Sequence, residues 1–195
     1  MKKIIALGLA IVMAFSMVAC GGNANEGGSE DNSQAVVVDE NLMSVEITLP
    51  ASYWEDSDET VEQYAERMKN EGTFKEVTVN ENGSVTVKMS KADHKKLLNE
   101  VKDQLTSMFP MDGIASIKKL EVNGDVTNCK LIVDQEAFEN SFDIFAVLAV
   151  AAGVQMYHVY EGNPDAISVI HYIDEASNTE FGSFNLPEGL EAFGQ

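Results

Sequence analysis

Glu76-Val77-Thr78-Val79-Asn80-Glu81-Asn82-Gly83-Ser84-Val85-Thr86-Val87-Lys88-Met89 contains two alternating runs around an Asn-Gly pair. Val77 and Val79 alternate with polar residues before the pair. Val85, Val87 and Met89 do so after it. A period of two places those apolar side chains on one face of a strand, and Asn-Gly supplies the reversal. The stretch predicts an antiparallel hairpin over residues 75–89 with one buried face.

The flanking sequence extends this pattern. Ser90 and Asp93 form a capping-box-like start, with Asp in the usual Glu or Gln position. The helix that follows runs to about Phe109, with Leu97, Leu98, Val101, Leu105 and Met108 as its apolar stripe. Upstream, Ser44 to Leu49 reads as a strand closed by Pro50. A helix from about Glu59 to Glu71 follows, with Ser57 or Asp58 as cap and Gly72 as terminator. Val61, Tyr64, Ala65 and Met68 give that helix its buried face.

Downstream, a second hairpin is expected from Ala115 to Val133 around Asn123-Gly124-Asp125. Asp134 caps a third helix, about Gln135 to Glu161. Two strands close the chain, Ala166 to Ile173 and Thr179 to Leu186. Helix followed by hairpin thus recurs three times at about 45-residue spacing, as an order of elements rather than a sequence repeat. The fold class expected is α+β: a mainly antiparallel sheet of about seven strands, with three helices packed on one face.

The N-terminus carries an address. Lys2 and Lys3 precede an uncharged run, Ile4 to Val18, and Ala19 is a small residue before Cys20. Fifteen helical residues reach roughly 22 Å, short of the roughly 30 Å hydrocarbon core, so a cleaved signal is expected rather than a membrane span. Met17-Val18-Ala19-Cys20 resembles the lipobox of bacterial lipoproteins, although leucine is commoner at the first position and Ala or Ser at the second. The resemblance implies cleavage before Cys20 and diacylation of its sulfur. Two acyl chains hold a protein firmly at a bilayer, at roughly 0.8 kcal/mol for each buried CH₂.

The organisation expected is therefore a signal peptide at 1–19, a lipidated Cys20 with an acidic tether at 20–41, and a single α+β domain at 42–195. Residues from Gly21 to about Glu40 are rich in Gly, Asn, Ser and acids, the composition of a flexible linker. Loss of residues 1–19 takes away two of the 13 basic residues and none of the 32 acids, leaving a net charge of −21. Such a surface disfavours nucleic acid and anionic headgroups. The charge is also segregated. Residues 21–66 hold 12 acids and no Lys or Arg, residues 67–130 hold all 11 remaining cations, and residues 131–195 hold 11 acids and no cation.

Candidate chemistry is sparse. Cys129 lacks an intramolecular partner in the mature chain and sits in a strand-like run, so a buried structural thiol is expected. His94 reads as exposed on a Lys-rich helix start. His158 and His171 lack zinc-motif spacing. There is no G-x-S-x-G elbow and no phosphate-cradling glycine loop. No catalytic residue, metal site or cofactor is assigned, and a non-enzymatic role is expected.

From Ile144 to Val154 the third helix is apolar all round. Its 11 residues fall far short of a span, so central burial is expected, with a dimer interface or a lipid-binding cavity as alternatives. Ala149 and Gly153, four apart, permit close packing. Two places remain as partner-binding candidates: Tyr53 and Trp54 beside Glu55, Asp56, Asp58 and Glu59, and the Lys91, Lys95, Lys96 and Lys102 face of the second helix.

Val45 to Trp54, Val77 to Met89 with its Asn-Gly turn, and Ser90 to Lys96 resemble a group of small cell-surface lipoproteins of Gram-positive bacteria with no assigned activity. The resemblance covers about half of the mature chain and implies the anchor, the element order and a single domain, without a catalytic residue. The function expected is a membrane-anchored extracytoplasmic binding or scaffold module, engaging an envelope protein or polymer. The alternative is a carrier of a small apolar ligand or lipid in a cavity beside the third helix.

Overall fold

The computed structural model describes residues 36–40, 43–51, 54, 59–72 and 74–193. They are α+β, with eight strands in two four-stranded sheets and five α-helices. The chain divides into two compact units, 1–94 and 95–195. The strands are thus distributed over two sheets, where a single set of about seven was expected.

The first unit holds β1 (Val37–Glu40), β2 (Ser44–Leu49), α1 (Val61–Glu71), β3 (Glu76–Val79) and β4 (Val85–Ser90), in the order β1-β2-β4-β3 with every pairing antiparallel. Val45, Ile47 and Leu49 on β2 and Val85, Val87 and Met89 on β4 are buried. They form register pairs Val45–Met89, Ile47–Val87 and Leu49–Val85, so the buried rows coincide across the strands. The opposite face pairs polar groups: the Thr48 and Thr86 hydroxyls meet at 2.9 Å, and Lys88 pairs with Glu46.

Strand β1 corrects the tether reading. Val36-Val37-Val38 ends the run assigned to a linker, and Val37–Glu40 pairs with β2. Three consecutive β-branched residues favour extended backbone, and an open strand edge satisfies their amides. The cap of α1 also differs. Thr60, rather than Ser57 or Asp58, accepts from the Gln63 amide while the Gln63 side chain accepts from the Thr60 amide, at 3.3 and 2.9 Å. Gly72 ends α1 at φ +71°, a left-handed conformation that suits glycine.

Helix α2 (Lys91–Thr106) starts as expected: the Asp93 amide donates to Ser90 Oγ at 3.1 Å, and Ser90 Oγ meets Asp93 Oδ2 at 2.6 Å. The second unit then holds β5 (Ile117–Val122), β6 (Asn128–Val133), α3 (Gln135–Glu139), α4 (Ala146–Glu161), β7 (Ser168–Asp174), β8 (Glu180–Leu186) and α5 (Glu188–Phe193). Its sheet runs β5-β6-β7-β8. Both hairpins are antiparallel, and β6 and β7 pair in parallel. A parallel neighbour requires a crossover, and α3 and α4 provide it.

The expected third helix is broken. Asp134 caps α3 through the Ala137 amide, but Asn140 Nδ2 then donates to the Glu136 carbonyl at 2.7 Å and Ser141 Oγ to the Phe138 carbonyl at 3.4 Å. These side chains satisfy the last carbonyls of α3 and favour its termination. A 3₁₀ turn, Asp143–Phe145, leads into α4. Helix α4 is largely buried, with Val147, Val150, Ala151, Val154, Gln155 and Tyr157 to Tyr160 inside. His158 reaches Ser168 and Phe138 reaches Tyr172, so α3 and α4 lie on the same face of β7.

The two Asn-initiated turns are built alike. The Gly83 amide donates to the Asn80 carbonyl at 3.0 Å, and the Val126 amide to the Asn123 carbonyl at 3.4 Å. Gly83 has φ +80°. Val126 has φ +59°, a strained conformation for a β-branched residue, while its side chain is fully buried.

Candidate functional site

Trp54 belongs to the structure of the first unit. Its indole N–H donates to the Gly83 carbonyl at 3.1 Å, tying the segment before α1 to the hairpin turn. Its ring lies 4.3 Å from that of Tyr64, a buried residue of α1. The Arg67 guanidinium stands 4.9 Å over the Tyr64 ring and pairs with Glu59 at two points, Nε at 3.0 Å and Nη2 at 2.9 Å. Tyr53 and the acids at 55, 56 and 58 lie outside the described residues, as does Cys20.

An open depression of about 430 Å³ lies beside this cluster on α1, lined by Gln63, Glu66, Arg67 and Asn70. Amide, carboxylate and guanidinium groups border it, while the aliphatic stems of these side chains form most of its surface.

The lysine face is partly engaged. At roughly 100° per residue, Lys91, Lys95 and Lys102 share one side of α2, and Lys96 lies about a quarter-turn or more away. Lys91 pairs with Glu40 at 3.1 Å, Lys96 with Glu100 at 3.4 Å, and Lys102 donates to the Gly124 carbonyl at 2.8 Å. Lys95 is exposed. His94, expected at the surface, is buried. It extends the stripe of Leu97, Val101 and Leu105 by one turn, a position that the Lys-rich sequence around it conceals.

His158 and Ser168 are fully buried. His158 Nε2 lies 2.9 Å from Ser168 Oγ, and Nδ1 lies 3.3 Å from the Glu161 carboxylate. Both ring nitrogens are thus engaged, Nδ1 by the carboxylate and Nε2 by the hydroxyl. The sequence of groups matches a hydroxyl–imidazole–carboxylate relay, but the hydroxyl is sealed from any outside molecule in this conformation. Nothing local in the sequence marks Ser168, since the His158–Ser168 contact crosses from helix to strand. His171 sits on β7 between Glu180 Oε1 at 2.9 Å and Asn128 Nδ2 at 3.2 Å.

Cys129 is buried and free, and burial pushes its thiol up to about 12. Asp143 accepts from both the Ser116 hydroxyl, at 2.5 Å, and the Ser116 amide, at 3.0 Å, which holds its carboxyl below the usual range. Among the described residues, no group of three or more His, Cys, Asp and Glu converges to hold a metal ion. Comparisons with protein-family models, curated proteins and solved structures gave no match.

Proposed function

We propose that the chain is a lipid-anchored extracytoplasmic binding module, held at a membrane through Cys20 and presenting its folded units to a partner in the cell envelope. The observation that carries this reading is the charged start, apolar run and Val18-Ala19-Cys20 junction of residues 1–20. The strong acidity supports it further, because an anionic bilayer repels such a surface and favours outward presentation. The open depression on α1, with Gln63, Glu66, Arg67 and Asn70 around it, offers one accessible surface for such a partner.

Mass spectrometry of the protein isolated from its membrane tests the anchor. The expected N-terminal peptide begins at Cys20 and carries a diacylglyceryl mass, and Cys20→Ser releases the chain from the membrane. An unmodified, freely secreted chain sinks the proposal. Pull-down from envelope extracts with Lys95→Ala and Asn70→Ala variants tests whether α2 and the α1 depression hold the partner. Unchanged recovery removes those two surfaces.

A further inference from the structure

Phe142 and Phe145 stand at the entrance to α4, 84% and 54% exposed, with their rings stacked at 6.3 Å and 17° between planes. Exposed aromatic side chains normally find an apolar neighbour in the core or in a partner. Phe145 begins a stripe. Leu148, Ala149, Ala152 and Met156 follow at i+3, i+4, i+7 and i+11, all half-buried, on an arc that the buried residues leave open until Val159 closes it in the last turn. The stripe is roughly 16 Å long, and its two alanines form a shallow saddle between larger side chains.

The charge carried by the ridge's own stretch of chain is of one sign. Residues 131–195 hold 11 acids and no Lys or Arg. Glu136 and Glu139 are exposed on the helix just before Phe142, and Asp143 lies between the two phenylalanines. In helical projection Gln155 borders the stripe. It is 7% exposed, and its Oε1 is an acceptor without a donor. A second copy of this chain would set two acidic surfaces against each other, and an anionic bilayer would be repelled. A protein segment with apolar anchors flanked by Lys or Arg meets both the apolar and the charge requirements.

We infer that the Phe142–Met156 ridge is a docking surface for a basic, amphipathic segment of a partner protein. The inference deepens the binding-module reading and rests on it for biological context.

The test uses the full chain on zwitterionic phosphatidylcholine nanodiscs, with empty nanodiscs subtracted. The probe is a fluorescent Leu/Lys peptide of about 18 residues, patterned as an amphipathic helix, beside a Leu/Glu peptide of the same pattern. Binding is expected for the Lys peptide alone. It should weaken with salt and by about tenfold or more in Phe142→Ala/Phe145→Ala. Ile167→Ala, which removes an exposed apolar residue elsewhere, should leave it unchanged. Equal binding of the Glu peptide, or no loss in the double variant, overturns the inference. So does Phe-dependent self-association in sedimentation, which assigns the ridge to a second copy, or Phe-dependent binding to phosphatidylglycerol vesicles, which assigns it to a membrane. Because both phenylalanines are exposed, the variants should keep the parent melting temperature. The anchor is read separately from the N-terminal mass, so either reading can fail without the other.

Discussion

His158 Nε2 and Ser168 Oγ lie 2.9 Å apart, with neither residue exposed to solvent. The bond fastens α4 to β7, and each partner is the other's means of satisfaction. Ser168→Ala should cost about 1–3 kcal/mol, because it leaves a buried ring nitrogen without its hydrogen-bond partner. The expected reading is a lower urea midpoint at an unchanged slope. An unchanged midpoint means that the bond contributes nothing to folding.

Gly153 allows α2 and α4 to approach closely. A Cβ at this position would stand 2.6 Å from Leu105 Cδ2, and Leu105 is itself buried. Gly153→Leu should destabilise by about 1–3 kcal/mol through overpacking. Combining it with Leu105→Ala should cost less than the sum of the two single changes, since the cavity of one accommodates the bulk of the other. Strict additivity in thermal melts contradicts the close approach.

Trp54 is the only tryptophan in the chain, and it reports on its own packing. Trp54→Ala loses the tilted ring contact with Tyr64 and leaves the Gly83 carbonyl without the indole donor. A loss of about 1–3 kcal/mol is expected, below the cost of a fully buried tryptophan. In the parent protein, acrylamide quenching should be restrained until the unfolding transition. Free quenching in the folded state places the ring outside the cluster.

Asp143 and Asp174 both have depressed carboxyl pKa values. Hydrogen bonds from the Ser116 hydroxyl and amide hold Asp143 down, and those from the Ser177 hydroxyl and amide hold Asp174 down. A carboxyl whose folded pKa lies below its unfolded value contributes stability above the unfolded value, near 3.8. That contribution is lost as pH falls through the folded value. The denaturation midpoint should therefore drop as pH falls below about 4. Asp143→Asn should flatten that drop; an unaltered pH profile in the variant removes Asp143 from the account.

Cys129 should be inert in the folded protein. Burial favours the neutral thiol, with a pKa of about 12 against the usual 9.0. At pH 8, peptide mapping after iodoacetamide treatment should find Cys129 unlabelled until denaturant is added. The linked stability is fully present below about pH 9 and is lost as pH rises towards about 12. Labelling at native pH 8 contradicts its burial.

The local elements were legible because their signals are local. Alternation at Val77–Met89, the Ser90–Asp93 cap and Gly72 each act within a few residues, and the folded chain uses them as expected. The order of helix then hairpin also recurs three times: α1 before β3 and β4, α2 before β5 and β6, α4 before β7 and β8. The break between α3 and α4 was written in Asn140-Ser141, but the surrounding apolar periodicity masked it. The candidate sites were less legible. Trp54 and Lys91 are engaged by Gly83 and Glu40, 29 and 51 residues distant. The ridge was visible only as part of an all-apolar run until burial distinguished its inner faces from its outer one.

The sequence by itself determined most of the strands and helices, since backbone preference and side-chain periodicity act over one or two turns; β1, the break between α3 and α4, and α5 escaped it. Tertiary structure decided how the hairpins join their sheets. In the first unit the second strand of the β3–β4 hairpin lies inside, against β2, and the pairing is antiparallel. In the second unit the first strand of the β7–β8 hairpin lies inside, against β6, and the pairing is parallel. In each case the more buried strand takes the inner place: β4 with Val85, Val87 and Met89, and β7 with Ser168, Ile170, Tyr172 and Ile173. A central strand loses more water-exposed apolar surface than an edge strand, so comparative burial selects the arrangement. That comparison exists only once the helices have covered one face of each sheet.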